Sequence, residues 1–255
     1  MENIKIKDII CAVEKYAPVE IAYEWDNVGL MIGNPATDAK GVLLCLDVTS
    51  EVIDEAIKWG CNMILSHHPY IFHSMKNIDL STSKGRDIEK IIQNQLIIYS
   101  AHTNLDFAEY GVNYYLSKIV SEIINKKNIT LRKFTEGLKN NLGSSYVKIT
   151  YGRQADGSYS QDDDVVEKAD FMCSCGACGK FTEDILEKRP QIFITGEIGY
   201  NDALMLTQSG ITVIEAGHYD TEIIILPHLK DHLSKVFKNV NFHLTNTVFK
   251  VNMTH

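Results

Sequence analysis

The chain has 255 residues, 45% hydrophobic and 23% charged, the proportions of a folded globular protein and not of a disordered or fibrous one. Its 25 Lys and Arg against 33 Asp and Glu give a net charge of −8, which disfavours broad attraction to nucleic-acid phosphates and leaves no strong nucleic-acid signal. No apolar run reaches signal-peptide or membrane-spanning length, so a cytoplasmic chain with no membrane contact is expected, its six cysteines kept as thiols or ligands.

Ile6, Ile9, Ile10, Val13 and Ala17 fall at helical spacing and Pro18 ends the pattern, which predicts an amphipathic opening helix. Glu24-Trp25-Asp26-Asn27-Val28-Gly29-Leu30 is dense in turn formers and reads as a tight loop able to border a site. The near-continuous apolar run 42–48 predicts a strand buried on both faces, followed by a helix with Ser50 as its cap and Gly60 at its exit. Met63-Ile64-Leu65 is a second buried strand, ending in Ser66-His67-His68-Pro69. A helix near 85–93 and a strand at 95–100 complete a β-α-β-α-β order, which argues for a parallel sheet with right-handed crossovers. A helix at 112–123, a half-exposed strand at 146–151 and a polar surface loop at 152–164 follow. A second α/β unit then begins near Cys173, with strands at 192–195 and 211–215 and helices around Ile185 and Leu204. Pro227 is expected to break the chain before a helix carrying Leu229, Leu233 and Val236, and closing strands are expected at 240–244 and 248–251.

Polar chemistry collects where these strands end. In open α/β sheets ligands bind beyond the carboxyl ends of strands, and His67 and His68 follow one such end, His102 and Asp106 another, and His218 and Glu222 a third. On an extended backbone the two adjacent imidazoles diverge, which suits two neighbouring ions better than one, although an isolated His-His-Pro reads first as a hydrogen-bonded strand end. His218 and Glu222 are four apart and share one face if a helix starts at or just before them, which is ligand spacing, while a helix-start Glu favourable to the dipole beside a satisfied histidine reads equally well. Imidazole and carboxylate donors without thiolate suit zinc, iron, manganese, nickel or cobalt better than a calcium cage. Of these, the five donors His67, His68, Asp106, His218 and Glu222 exceed a single open catalytic site, and a carboxylate such as Glu222 can bridge two ions about 3.5–4 Å apart. Cys173, Cys175 and Cys178 form a C-x-C-x-x-C cluster with no evident fourth ligand, and a backbone turn near the cavity is the favoured reading. The acidic triplet Asp162 to Asp164 reads as solvated charge.

Taken in order, Trp25-Asp26-Asn27-Val28-Gly29-Leu30, Leu46-Asp47-Val48-Thr49, Ser66-His67-His68-Pro69, His102-Thr103-Asn104-Leu105-Asp106, Thr195-Gly196-Glu197 and Gly217-His218-Tyr219-Asp220-Thr221-Glu222 resemble the NIF-three-like family, also described as GTP cyclohydrolase 1 type 2 homologs. The resemblance implies a fold of two intertwined α/β lobes with largely parallel sheets flanked by helices, here set at 1–125 plus 215–255 for the metal-site lobe and 126–214 for the second. It also implies a dinuclear metal site ligated by His67, His68, Asp106, His218 and Glu222, Glu222 bridging, and a ring-shaped homohexamer. Family members commonly carry histidines shortly after Thr-Gly-Glu, where this chain has Gly199-Tyr200-Asn201-Asp202. The activity expected of such a site is metal-assisted hydrolysis, of GTP or of a phosphoester, with His102 as a base or as a partner behind the ligands, or else as a histidine that only stabilises its turn. No P-loop accompanies it, so the substrate stays open. The competing expectation is a non-catalytic metal-binding protein serving regulation, metal handling or protein interaction.

Overall fold

The computed structural model describes residues 3–178 and 181–248, arranged as two compact units, Met1–Gly111 with Ile225–Val248 and a second that includes Val112–Ile224. The expected strand at 248–251 lies outside the described residues beyond Val248, as does Gly179.

The first unit opens with α1 (Ile6–Tyr16), which buries Ile6, Ile9, Ile10 and Val13. The segment 24–30 is only partly the expected loop. From Gly29 it becomes an edge strand, β1 (Gly29–Ile32), which was not foreseen, because turn formers dominate its first half and its pairing partner lies about seventy residues away in sequence. Then come β2 (Gly41–Cys45), α2 (Ser50–Lys58), β3 (Met63–Ser66), α3 (Ser83–Gln93), β4 (Ile97–Ser100) and the short α4 (Thr103–Asp106). Every residue of β2, β3 and β4 is buried, as an apolar run covered on both faces requires. The cap of α2 is Thr49 and not Ser50: Thr49 is extended at φ −101°, and its side chain accepts from Val52 N at 3.3 Å. Ser50 lies inside the first turn and its hydroxyl donates to Asp87.

The second unit runs through α5 (Val112–Ile124), α6 (Leu131–Leu142), β5 (Lys148–Thr150), β6 (Phe171–Ala177), α7 (Thr182–Lys188), β7 (Ile192–Glu197), α8 (Tyr200–Gln208), β8 (Thr212–Glu215) and α9 (His218–Glu222). The chain then returns to the first unit for α10 (Ile225–Val236) and β9 (Asn241–Leu244). Pro227 does not break the chain. It occupies the first turn of α10, where a missing N–H removes no helical hydrogen bond. The unit boundaries fall at 111/112 and 224/225 instead of 125/126 and 214/215, because α5 packs on β6, and α9 packs on β6 and β7. His218 and Glu222 therefore belong to the second unit, not to the one that holds His67.

Both sheets follow one plan. In the first unit the strand order is β1-β4-β3-β2-β9, parallel except for β1; in the second it is β5-β8-β7-β6, parallel except for β5. An antiparallel strand thus closes one edge of each, and the carboxyl ends of the central parallel strands point the same way within each sheet. Those ends carry the histidines.

Candidate metal centre

In the first unit the ladder between β2 and β3 continues two residues past the strands, with His67 N donating to Cys45 O and His68 N to Leu46 O. This fixes the backbone of both histidines. Next to them β4 runs into α4, where the amides of Leu105 and Asp106 close the turn on His102 O. Asn104 is fully buried and anchors that turn at both ends: its Nδ2 donates to Ala17 O at 2.8 Å and its Oδ1 accepts from His102 N at 2.9 Å. One ring nitrogen from each of His67, His68 and His102 falls within 4.8 Å of the others, close enough to serve a common ion. His67 Nε2 lies 3.4 Å from Asp106 Oδ1, with the His67 side chain wholly buried and the aspartate 14% exposed. Donors expected near one another in this unit, His67, His68, His102 and Asp106, are indeed neighbours.

In the second unit the β7–β8 ladder likewise overruns its strands, Ala216 N donating to Thr195 O and Gly217 N to Gly196 O. Gly217, at φ +93°, lets the chain turn there into α9, a conformation that side-chain-bearing residues rarely adopt. His218 Nε2 then sits 3.2 Å from Oε1 of the buried Glu222. Hydrogen bonding to Glu222 pushes the imidazole up to about 9 against the opposing effect of burial, with Glu197 adding to the rise. Thr221 Oγ1 accepts from Gly176 N at 3.2 Å and so draws the end of β6 against this helix. The Cys173–Cys178 stretch is not the expected turn but mostly strand β6, whose pairing with β7 shifts register between Ser174 and Ala177; there Gly176 adopts φ +58° and its backbone passes Glu222 so closely that a β-carbon would lie 2.3 Å from Oε1.

Four histidines share a feature that the sequence did not disclose. His67 Nδ1 is 2.9 Å from Ala101 O, His68 Nδ1 2.8 Å from Asp47 Oδ1, His102 Nδ1 2.9 Å from Asp26 Oδ1, and His218 Nδ1 3.1 Å from Glu197 Oε1. Carbonyl and carboxylate oxygens can only accept, so each Nδ1 carries a proton and Nε2 is the ring nitrogen that remains to meet a metal; His218 Nε2 carries a proton as well, held by Glu222. Metal-binding histidines are oriented in this manner, by an oxygen behind the ring. Asp26, Asp47 and Glu197 lie 21 to 76 residues from the rings they hold. Spacing rules do not reach that far, although all three fall inside the motifs quoted above.

The cysteines do not join in. All six are free thiols, and burial pushes Cys173 and Cys178 each up to about 12, away from thiolate. Among the described residues none belongs to a cluster with metal-ligand geometry. Asp162 pairs with Arg132 at 3.0 Å on the surface, consistent with a solvated acidic run.

An α/β protein that lines up imidazoles and carboxylates beyond its parallel strands, each imidazole backed by an oxygen, has the donor groups to hold metal ions. The chain belongs to the Duf34/NIF3 (NGG1p interacting factor 3) family, which it matches over residues 4–254. A GTP cyclohydrolase 1 type 2 homolog of Clostridium acetobutylicum is 33% identical over 232 residues, covering 86% of each chain, and one of Lactococcus lactis is 30% identical over 232 residues, covering 85% and 86%. Among solved structures, a Bacillus cereus protein related to NIF3 superposes over the full length of both chains with a TM-score of 0.85 at 20% identity. Reduced HcgD from Methanocaldococcus jannaschii covers 97% of this chain and 100% of its own with a TM-score of 0.80 at 23% identity. These two structural likenesses establish the fold.

Proposed function

We propose that His67, His68, Asp106, His218 and Glu222 hold two divalent ions, Glu222 bridging them, and that the protein is a metal-dependent hydrolase. The observation that carries this reading is the common orientation of the imidazoles, every Nδ1 held by an oxygen acceptor so that Nε2 is the nitrogen left to meet an ion, in His218 once the proton shared with Glu222 is released. The donor set of nitrogen and oxygen suits zinc, iron, manganese, nickel or cobalt. A divalent ion held there would supply Lewis acidity, lowering the pKa of a bound water and polarising the bond to be hydrolysed.

The chain's own residues supply the rest. His102, beside His67 and His68, takes up a proton at Nε2. In the second unit a cavity of about 560 Å³ has His218 and Glu197 in its wall together with Lys148, Glu215 and Asp202, so a polar small molecule can lie against His218. The names of the curated relatives point to GTP as the first substrate to try, and phosphoesters as the second. Six free thiols fit a reducing cytoplasm, and the family resemblance supports a homohexamer, which light scattering would show as a mass roughly six times 28.8 kDa.

The test is elemental analysis of the purified chain, followed by hydrolysis assays on GTP and a phosphoester panel before chelation, after it, and after return of each metal. Bound metal with metal-dependent turnover is expected. Bound metal with no turnover on any substrate would leave a metal-handling or regulatory protein, and a chain that takes up no divalent ion would end the reading altogether.

A further inference from the structure

Asp26 lies in the loop before β1, and its carboxylate is completely shielded from solvent. Four donors converge on it. Oδ1 accepts from Asn27 N at 2.8 Å and from His102 Nδ1 at 2.9 Å; Oδ2 accepts from Thr103 N at 3.0 Å and from Thr103 Oγ1 at 2.6 Å. Thr103 Oγ1 in turn accepts from Tyr23 N at 3.1 Å, so the loop and α4 are tied together around this one group. Burial pushes the carboxyl up, but the hydrogen bonds from His102 and Thr103 outweigh it and hold Asp26 down at about 2, ionised and acceptor-only. A capping role toward Thr103 would need Oδ2 alone. Oδ1 is spent on the imidazole.

We propose that Asp26 is a positioning residue for His102: it locks the ring in the Nδ1–H tautomer and holds the Nε2 lone pair toward the His67 and His68 donors, as acceptor for a water or substrate group bound there. Three observations converge on this. The His102 ring lies 5.2 Å from that of His67 and 5.6 Å from that of His68, centroid to centroid. A ring nitrogen of His102 falls within 4.8 Å of the ligand atoms of both. Trp25 and Phe72 meet the same ring edge-on from other sides, each at 6.3 Å, which restricts its rotation. A neutral imidazole in water favours the Nε2–H tautomer, which would aim a proton at the donor set, so the buried carboxylate reverses the ring's intrinsic preference. The proposal deepens the metal-centre reading above and rests on it for its purpose, but the tautomer itself is a property of the metal-free chain.

The experiment is long-range proton–nitrogen NMR of the full chain labelled with 15N-histidine, metal-free and zinc-loaded, on wild type, Asp26→Ala and Thr103→Val. Wild type is expected to show His102 mainly as Nδ1–H in both states, with Nε2 perturbed by zinc. Thr103→Val, which keeps the Asp26–His102 bond, is expected to match wild type, and Asp26→Ala to shift His102 mainly to Nε2–H. The zinc dissociation constant of Asp26→Ala should stay within roughly threefold of wild type, because His102 is not counted among the ligands. An Nε2–H tautomer in wild type, or an unchanged tautomer in folded Asp26→Ala, would overturn the proposal. So would a loss of zinc affinity of about tenfold or more, since it would make His102 a ligand that Asp26 supports. If Asp26→Ala does not fold, the wild-type spectrum alone decides. Failure of wild type to bind zinc would defeat the metal-centre reading and leave the metal-free spectra to judge Asp26.

Discussion

A β-carbon added to Gly176 would lie 2.3 Å from Oε1 of Glu222 and 3.4 Å from Nε2 of His218, on a backbone at φ +58°. Replacing it therefore forces an L-residue into the left-handed region and pushes aside a buried carboxylate at the same time. Gly176→Ala is expected to destabilise the chain by about 2 kcal/mol and to lower metal content, read by urea unfolding and elemental analysis. Unchanged metal occupancy would show that Glu222 does not need its present position. Asp26 gives a second outcome at this scale. Its folded-state pKa, about 2, lies below the ordinary 3.8, so its contribution is present above about pH 4 and is lost as pH falls toward 2. The difference in unfolding free energy between wild type and Asp26→Ala, measured with chelator present, should shrink by roughly 2 kcal/mol from about pH 5 to about pH 2. A flat difference would mean that the four hydrogen bonds do not favour the ionised form. The six candidate residues stood out in the sequence because each lies within seven positions after a strand end. Asp47, Asp26 and Glu197 were legible only as parts of motifs, since what they do depends on which ring the tertiary fold brings to them.

At the scale of elements, α4 is only four residues long, too short to be stable through its own hydrogen bonds, yet it carries Asp106 and begins beside His102. Asn104 compensates by bonding Ala17 O at the end of α1 and the amide of His102. Asn104→Ala would leave a buried carbonyl and a half-buried amide without these partners. The expected cost is about 2 kcal/mol in thermal or urea unfolding, with weaker metal uptake as α4 loosens. A variant as stable as wild type would show that the turn is held by Asp26 alone. The buried parallel strands and the amphipathic helices were readable because apolar runs and helical spacing are local signals. Helix α6 carries the same signal in Leu131, Phe134, Leu138 and Leu142, and the reading above passed over it. Strand β1 had no such signal, since its existence depends on pairing with β4.

For the whole molecule, the parallel plan of the two sheets means that donors are delivered twice by the same device, a ladder that overruns its strands into a short helix. His67, His68 and Asp106 belong to the first unit and His218 and Glu222 to the second. An ion bound only by the native chain stabilises it by RT ln(1 + [M]/Kd), about 2.7 kcal/mol at a hundredfold excess over Kd. For a chain of this length that corresponds to a rise in Tm of roughly 5–10 °C. Adding the metal found by elemental analysis to chelated protein is therefore expected to raise Tm by that amount. His67→Ala and Glu222→Gln remove a donor from the first and second unit respectively, and each is expected to cut most of the rise. Were the ions held by the imidazoles of the first unit alone, Glu222→Gln would keep the full shift while His67→Ala lost it. Scanning calorimetry on the three chains, with and without metal, separates a centre shared by both donor sets from one confined to a single set.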